Sequence, residues 1–250
     1  MAIFESEGLV LRSYRLAEAD RIVVVFTRDH GMIRGVAKGA RRLKSRFGST
    51  LELFSTVNVA FFQKEERELV SFQQFDLVRS RFERAADPGY LHTFSYLSDL
   101  LVSIVPPHDP NEKIYRMAVA CLDAGAGTGV ELLALRVYFE MWLLRLGGYL
   151  PDWAVCGQCG RTLAFDEEAS LRHDSHLICT SCRGARKMPT MSSLHRNIYQ
   201  AINSTPPVAF METFKHEPQA AEELSDLMRR IVTQVVGRDL LNEKTLAVHT

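Results

Sequence analysis

The sequence contains no long hydrophobic run that is free of charge. Its most apolar stretch, "ELLALRVYFEMWLLRL" at 131–146, includes Glu131, Arg136, Glu140 and Arg145, which is too charged for a helix that spans a bilayer. The first residues, "MAIFESEGLVLRSY", show no basic leader followed by an apolar run and a small-residue cleavage site, so we expect no secretory signal. These absences predict a cytoplasmic protein with no membrane segment.

Motifs of common catalytic sites are also missing. The chain has no GxSxG, no P-loop, no HExxH and no GxGxxG placed between a strand and a helix. The glycine-rich "GAGTG" at 125–129 follows a helical pattern, and we interpret it as a linker. No pair of carboxylates is spaced for acid–base work or for holding magnesium. We therefore expect that the protein is not an enzyme.

The composition is that of an ordinary globular protein, but its charge is unevenly distributed. The 250 residues are 46% hydrophobic and 24% charged, with a formal net charge of +0, and the length suffices for one large or two small domains. Residues 1–50 nevertheless contain ten Lys or Arg against five Asp or Glu. This local excess of positive charge suggests that a polyanion approaches one end of the molecule.

The first eighty residues show short β-rich runs separated by turn signals. Five candidate strands are "EGLVLRSY", "RIVVVFTR", "MIRGVAKG", "LELFSTVNVAFFQ" and "LVSFQQFDLV", with "KEERE" as a polar turn before the last. Five strands in this length predict a small closed barrel, and we favour the OB-fold over residues 1–80. The pattern leaves an SH3-like barrel open.

Helical periodicity begins after Pro88. We expect helices in "YLHTFSYLSDLLVSIV", in "EKIYRMAVACLDA", over 131–146 and from Pro218 to Gly237, where the dipole and capping signals agree. The predicted fold class is α+β: a five-stranded OB-fold barrel followed by a helical domain over 81–250. That domain contains an inserted module at about 151–188.

Four cysteines form two CxxC pairs within this insertion. Cys156 and Cys159 are separated by nineteen residues from Cys179 and Cys182, which is the spacing of a structural zinc site. We expect one zinc ion that does no chemistry, because four thiolates leave no position open for water. The fifth cysteine, Cys121, is predicted to be a buried apolar residue.

Other interpretations of the cysteines are weaker. Stable disulfides are a poor default without an export signal, and a thioredoxin-like pair would need one CxxC beside a βαβ pattern. His173 and His176 lie between the pairs and could replace a thiol ligand, but we expect them to be exposed turn residues.

The segment "RGVAKGARRLKSRFG" at 34–48, called the basic segment below, has six cations and no acid. An isolated charge run is often only a solvated loop between strands. Here the glycines would let the backbone approach phosphate, while Arg and Lys would release counterions. We predict nucleic-acid contact, and we expect Phe47 to lie in the core rather than to stack on a base. The candidate residues are Arg34, Lys38, Arg41, Arg42, Lys44 and Arg46.

The stretch "LVLRSYRLAEADRIVVVFTRDHGMIRGVAKGARRLKSRFG" resembles the N-terminal signature of the bacterial RecO recombination mediators. Its most specific part is "VAKGARR" followed by "KSRFG". The resemblance extends to the order of an OB-fold, a helical domain and a four-cysteine zinc module.

This resemblance implies a non-enzymatic protein of recombinational DNA repair. Such a protein would bind single- and double-stranded DNA through the six basic residues and anneal complementary strands. It would associate with the RecR protein and with the acidic C-terminal tail of single-stranded DNA-binding protein, and would help to load RecA onto coated strands. We expect it in the bacterial cytoplasm, at the nucleoid.

Two rival functions remain. One is a zinc-ribbon RNA-binding or transcription-associated module, because charge and spacing do not separate DNA from RNA. The other is a zinc-dependent nucleic-acid enzyme, which would need an open metal position.

Overall fold

The computed structural model describes residues 3–63, 68–164 and 166–241. Its N-terminal part is a closed barrel whose five strands follow the order β1-β2-β3-β5-β4. The barrel strands are β1 (Ile3–Leu16), β2 (Asp20–Thr27), β3 (Gly31–Ala37), β4 (Thr56–Phe62) and β5 (Val70–Arg79), with a 3-10 turn at Gly48–Leu51.

Strand β1 belongs to two pairings, which allows the sheet to close. Its first half pairs with β4 and its second half with β2, with a register shift between Val10 and Arg12. The parallel pairing of β3 with β5, from Gly35 opposite Val70 to Ala37 opposite Phe72, completes the barrel. A bulge bends a strand and increases its twist, as closure requires. The predicted five-stranded OB-like barrel followed by helices is confirmed.

Alternation along the strands separates the barrel interior from its outer surface. On β3, Ile33 and Ala37 are fully buried and belong to the barrel core, whereas Arg34 between them is exposed. Gly35 also faces inward, where a Cβ would lie 2.4 Å from a methyl carbon of Val70. Arg34, the basic residue of β3, therefore lies on the outer surface.

Eight helices and three short strands follow the barrel within the described residues. The helices are α1 (Phe82–Ala85), α2 (Pro88–Ile104), α3 (Glu112–Asp123), α4 (Gly129–Leu146), α5 (Thr180–Arg183), α6 (Ser193–Ile202), α7 (Pro207–Lys215) and α8 (Pro218–Val236), and the strands are β6 (Ala169–Leu171), β7 (Leu177–Ile178) and β8 (Thr190–Met191). None of the helices that the structure describes is both long and apolar enough to cross a membrane.

Helix α4 is buried on nearly every side. It packs against α6, α7 and α8, and even Glu140 is fully buried. A capping box of Thr128 and Glu131 begins it. Helix α8 ends at Gly237, which has a φ of 78°, so the expected glycine cap is present. The predicted central helix and last helix are confirmed.

The chain divides into two compact units. One comprises the residues up to Asp123 with the chain end from Leu240, and the other is Ala124–Asp239. Helices α2 and α3 thus belong to the same unit as the barrel. The division at residue 80 that the sequence favoured stays a prediction about domains.

Candidate nucleic-acid interface and metal centre

The basic segment begins on the outer surface of β3 and continues into the connection to β4. Arg34 is in β3 and Lys38 follows its last residue. All six cationic side chains are exposed. Within residues 3–63, 68–164 and 166–241, no carboxylate forms a salt bridge with any of them. Their charge is therefore available to an external anion.

The connection is held against the β1–β2 hairpin. Gly39, with a φ of 72°, donates its N–H to the Asp20 carboxylate at 2.8 Å. The Arg41 N–H donates to the Ala19 carbonyl at 2.9 Å. The Arg41 guanidinium donates to the carbonyls of Ala17 and Glu18 at 3.2 and 3.0 Å. The Arg41 side chain thus anchors the loop to the hairpin, whereas the side chains of Arg42 and Lys44 make no hydrogen bond within the described residues.

Phe47 is fully buried in the barrel core and meets Phe75 edge-on at 5.7 Å. The guanidinium carbon of Arg46 lies 5.0 Å from the centre of the Phe47 ring. The core role predicted for Phe47 is confirmed. One face of its ring supports a cation of the basic segment.

The sequence analysis did not single out two further arginines near the basic segment. Arg15 lies directly opposite Arg21 on the antiparallel β1–β2 pair. Their position next to the loop anchored by Arg41 extends the positive surface. Because like charges in facing positions destabilise a sheet, this extension lowers the stability of the hairpin. The register of the hairpin was needed to find this pair.

The second candidate site contains Cys156, Cys159, Cys179 and Cys182. Their sulfur atoms all lie within 4.8 Å of one another, and no disulfide joins them. Zinc bound to four thiolates at 2.3 Å sets sulfur–sulfur distances of about 3.8 Å. The two CxxC turns therefore converge to a separation that a single tetrahedral ion fits.

Local backbone geometry makes these turns possible. Gly160, with a φ of 74°, donates its N–H to the Cys156 carbonyl at 2.8 Å, and Gly184, with a φ of 58°, follows α5. The N–H groups of Cys179 and Cys182 point at the sulfurs of Cys156 and Cys179, each at 3.4 Å. These donors favour thiolates over thiols.

The thiols consequently differ in acidity. Burial raises the pKa of Cys156, but the N–H groups of Cys159, Cys179 and Gln158 outweigh it and lower that pKa to about 6. Hydrogen bonding with Cys179, followed by burial, raises the pKa of Cys182 to about 12. A bound cation would favour the thiolate form of all four groups. The set is therefore suited to a metal that prefers sulfur.

The histidines between the cysteine pairs are exposed, as predicted. His173 and His176 lie on the connection between β6 and β7, and the cluster of possible ligands found among the described residues contains only the four cysteines. The buried Trp153 supports this connection, since its indole N–H donates to the Ser175 carbonyl at 2.9 Å. Cys121 is fully buried in α3, and burial raises its pKa, which confirms its predicted apolar role.

Comparison with known proteins gives two family matches. The model described as "Recombination protein O N terminal" matches residues 1–81, and "Recombination protein O C terminal" matches residues 86–244. A DNA repair protein RecO of Koribacter versatilis is 32% identical over 248 residues, which cover 98% of this chain and 96% of the relative. The RecO protein of Syntrophotalea carbinolica is 28% identical over 92% of this chain and 90% of its own length. One from Bifidobacterium longum is 35% identical over 64% and 67%, respectively.

Proposed function

The chain belongs to the RecO family of DNA repair proteins, and we propose that it is a recombination mediator that binds DNA through the basic segment without catalysing a reaction. The observation that carries this proposal is the set of six exposed cations on an OB-like barrel, for which the described residues provide no carboxylate partner. The DNA repair name of the relatives favours DNA over the RNA-binding alternative.

Binding by such a surface depends mainly on phosphate. Each Lys or Arg that meets a phosphate releases a counterion, so affinity falls as salt rises, with little dependence on sequence. The loop geometry supports this role, because the anchoring bonds of Arg41 hold the segment beside the β1–β2 hairpin. Arg42 and Lys44 would then contact the DNA backbone directly, and both single strands and duplexes would bind.

A mediator must also act on strands that are already coated. We propose that the protein associates with RecR and with the acidic tail of single-stranded DNA-binding protein. While the tail is held, the basic segment would engage the released strand, which would permit annealing or the loading of RecA. The opposite charges of the basic segment and of an acidic tail are complementary, which would steer these encounters electrostatically. We place this activity in the bacterial cytoplasm, at the nucleoid.

We assign the four cysteines to one structural zinc ion. Four thiols without a further ligand match a closed site, and zinc would contribute a cross-link between the two CxxC turns. The chain's own part is to present the sulfurs from fixed turns, and the buried Trp153 holds the connection between the two cysteine pairs through its hydrogen bond to Ser175. The DNA-binding and metal-binding residues are separate sets, so metal binding would support the fold of residues 151–188 rather than DNA contact.

The proposal is tested by removing two charges that have no anchoring role. The test variant is a double substitution, Arg42→Gln and Lys44→Gln in one protein. Its control is a second double variant, in which the exposed Lys113 and Arg116 of α3 are changed to Gln. Affinity for a labelled single strand and for its duplex is measured between 50 and 200 mM salt, with no nucleotide present. Annealing of strands coated by single-stranded DNA-binding protein is followed in parallel.

The basic-segment variant should bind more weakly. The slope of log affinity against log salt should become shallower by roughly 1.4 for the single strand and 1.8 for the duplex, since each lost phosphate contact contributes about 0.7 or 0.9. Annealing should slow with it. An unchanged slope in this variant, or an equal change in the α3 control, would remove the basic segment from the mechanism.

A further inference from the structure

The four cysteines of the metal centre are not equally accessible. Cys156 and Cys179 are each only 1% exposed, whereas Cys159 is exposed and Cys182 is partly exposed. Each CxxC pair therefore provides a buried sulfur from its first cysteine and an accessible sulfur from its second. We call Cys159 and Cys182 the outer pair. They come from different turns, and their sulfur atoms lie within 4.8 Å of each other.

Backbone hydrogen bonds reinforce this difference. The Cys179 N–H donates to the Cys156 sulfur, and the Cys182 N–H donates to the Cys179 sulfur, each at 3.4 Å. Among the hydrogen bonds of the described residues, no backbone N–H donates to a sulfur of the outer pair. Hydrogen bonds to a charged group stabilise the charge, and a more stabilised thiolate is a weaker nucleophile. The two buried thiolates are thus covered and stabilised, whereas those of the outer pair are neither.

A positive charge lies beside the outer pair. The Arg186 guanidinium donates to the Cys182 carbonyl at 2.6 Å and to the Arg183 carbonyl at 3.1 Å, so it is fixed at the turn that presents Cys182. Arg186 is exposed, and no carboxylate of the described residues forms a salt bridge with it. Accessible thiolates in positive surroundings are typical of reactive cysteines.

We propose that Cys159 and Cys182 are a site of reversible oxidation by hydroperoxides such as hydrogen peroxide. This inference rests on the proposed metal site, because a metal-bound sulfur is a thiolate and the thiolate is the form that reacts. Redox-sensitive cysteines are accessible and have a second cysteine within reach. The outer pair meets both conditions, and the buried cysteines fail the first.

The reaction takes two steps. The Cys159 thiolate attacks one oxygen of the peroxide, and the O–O bond breaks. The sulfur becomes a sulfenic acid, and the leaving hydroxide takes up a proton to form water. The Cys182 thiolate then attacks the Cys159 sulfur, which forms the disulfide and expels a second hydroxide that is also protonated to water. Two thiolates thus lose two electrons, and one hydrogen peroxide is reduced to two water molecules.

The product would preserve the connection between the two CxxC turns. Oxidation of the outer pair removes two of the four sulfur ligands, so the metal ion would be released. The new disulfide nevertheless joins the same two turns that the metal joined. A disulfide within either CxxC pair would leave the turns unconnected. The choice of partner therefore decides whether the cross-link survives oxidation.

The test uses the unaltered protein loaded with zinc, so it does not depend on the folding of a variant. Hydrogen peroxide is added, and zinc release is followed with a chromogenic chelator. The protein is then digested with trypsin for mass spectrometry. Cleavage after arginine places the first CxxC pair in peptide 146–161 and the second in peptide 173–183. A disulfide between the turns links these peptides, and fragment ions identify the cysteines that are joined.

Each disulfide that forms should release one zinc ion, and it should join Cys159 to Cys182. Dithiothreitol with added zinc should restore the metal content. Before oxidation, limiting iodoacetamide should alkylate the outer pair about tenfold faster than the buried cysteines, because burial and hydrogen bonding both lower thiolate reactivity. The control is Cys121→Ala, which removes the fully buried cysteine of the other unit. It should release zinc at the same rate and give the same linked peptides.

The outcomes separate this inference from the proposals on which it depends. Equal alkylation of the four cysteines, or disulfides confined within the CxxC pairs, would overturn the outer pair as the site while leaving the zinc assignment intact. A purified protein without zinc would overturn both. Neither result changes the test of DNA binding, which is made separately with the variant of Arg42 and Lys44.

Discussion

Arg81 connects the end of the barrel to α3, and its removal should destabilise that unit strongly. Its side chain is only 3% exposed. It donates to Asp123 at 2.7 and 3.0 Å, to the Phe54 carbonyl at 2.7 Å and to the Thr56 hydroxyl at 2.9 Å. One guanidinium thus satisfies a helix end, a loop and the first residue of β4.

The expected magnitude follows from what Arg81→Met leaves behind. Met fills part of the same volume, but the acceptors on Phe54 and Thr56 lose a charged donor at a buried position. Breaking one side of a buried ion pair costs about 3–5 kcal/mol. Hydrogen bonds to charged groups contribute about 1.5–3 kcal/mol each and are not additive. We expect a loss of about 3–5 kcal/mol in the free energy of unfolding of this unit.

Arg79 is a matched control because it contacts the same carboxylate. Its guanidinium lies 2.5 Å from Asp123, but its side chain is 58% exposed. An exposed ion pair contributes about 0–1 kcal/mol, so Arg79→Met should lose no more than that. The comparison separates burial and the additional acceptors of Arg81 from simple charge pairing with Asp123.

Amide hydrogen exchange read by mass spectrometry measures the change locally, which suits a protein with two compact units. Peptides covering β4 and α3 should lose protection in Arg81→Met and keep it in Arg79→Met. A loss below about 1 kcal/mol for Arg81→Met, or equal losses in both variants, would refute the assignment of Arg81 as a buried connection.

Two further predictions concern the metal centre and alkaline stability. In a Trp142→Phe background, removal of the bound metal by a chelator should shift the fluorescence emission of Trp153, while the backbone amides of the barrel stay protected from hydrogen exchange. Cys159→Ser should contain less metal than the unaltered protein when measured by elemental analysis. Retained metal in that variant would contradict a four-thiolate site. Burial raises the pKa of Tyr90 in the folded protein to about 12, whereas a tyrosine in the unfolded chain has a pKa near 10. The contribution of the protonated Tyr90 to the free energy of unfolding is therefore complete below pH 10 and is lost as the pH rises toward 12. Between pH 9 and pH 11, the free energy of unfolding measured with urea should therefore fall by about 1 kcal/mol less in Tyr90→Phe than in the unaltered protein. An identical fall in both proteins would exclude the ionisation of Tyr90 as the cause.

Short-range patterns in the sequence predicted the barrel strands and the cysteine cluster. Strands β2 and β3 follow from alternating and β-branched residues. The four metal-ligand candidates follow from the two-residue spacing within each CxxC pair, which is visible in the local sequence. The first part of β1 was missed: its alternating signal starts only near Glu7, whereas the strand begins at Ile3 because it pairs with β4. That pairing is set by barrel closure, which no local pattern contains.

Two of the three helices after the cysteine module, α6 and α7, were also missed, whereas α8 was predicted. Helix α6 has only ten residues and α7 nine, and each is stabilised by packing in its own unit rather than by a long periodic run. For the candidate site, charge alone located the six cations of the basic segment. The facing pair of Arg15 and Arg21 required the strand register.

Arg12 of β1 and Asp99 of α2 form an ion pair. This pair limits which segments of related genes can be exchanged. The two family matches meet between residues 81 and 86, so this junction is where an exchange of halves between relatives would be designed. Arg12 comes from one half and Asp99 from the other. A hybrid joined there would take the two members of this ion pair from different parents, so its stability would depend on whether both parents carry complementary charges at these positions.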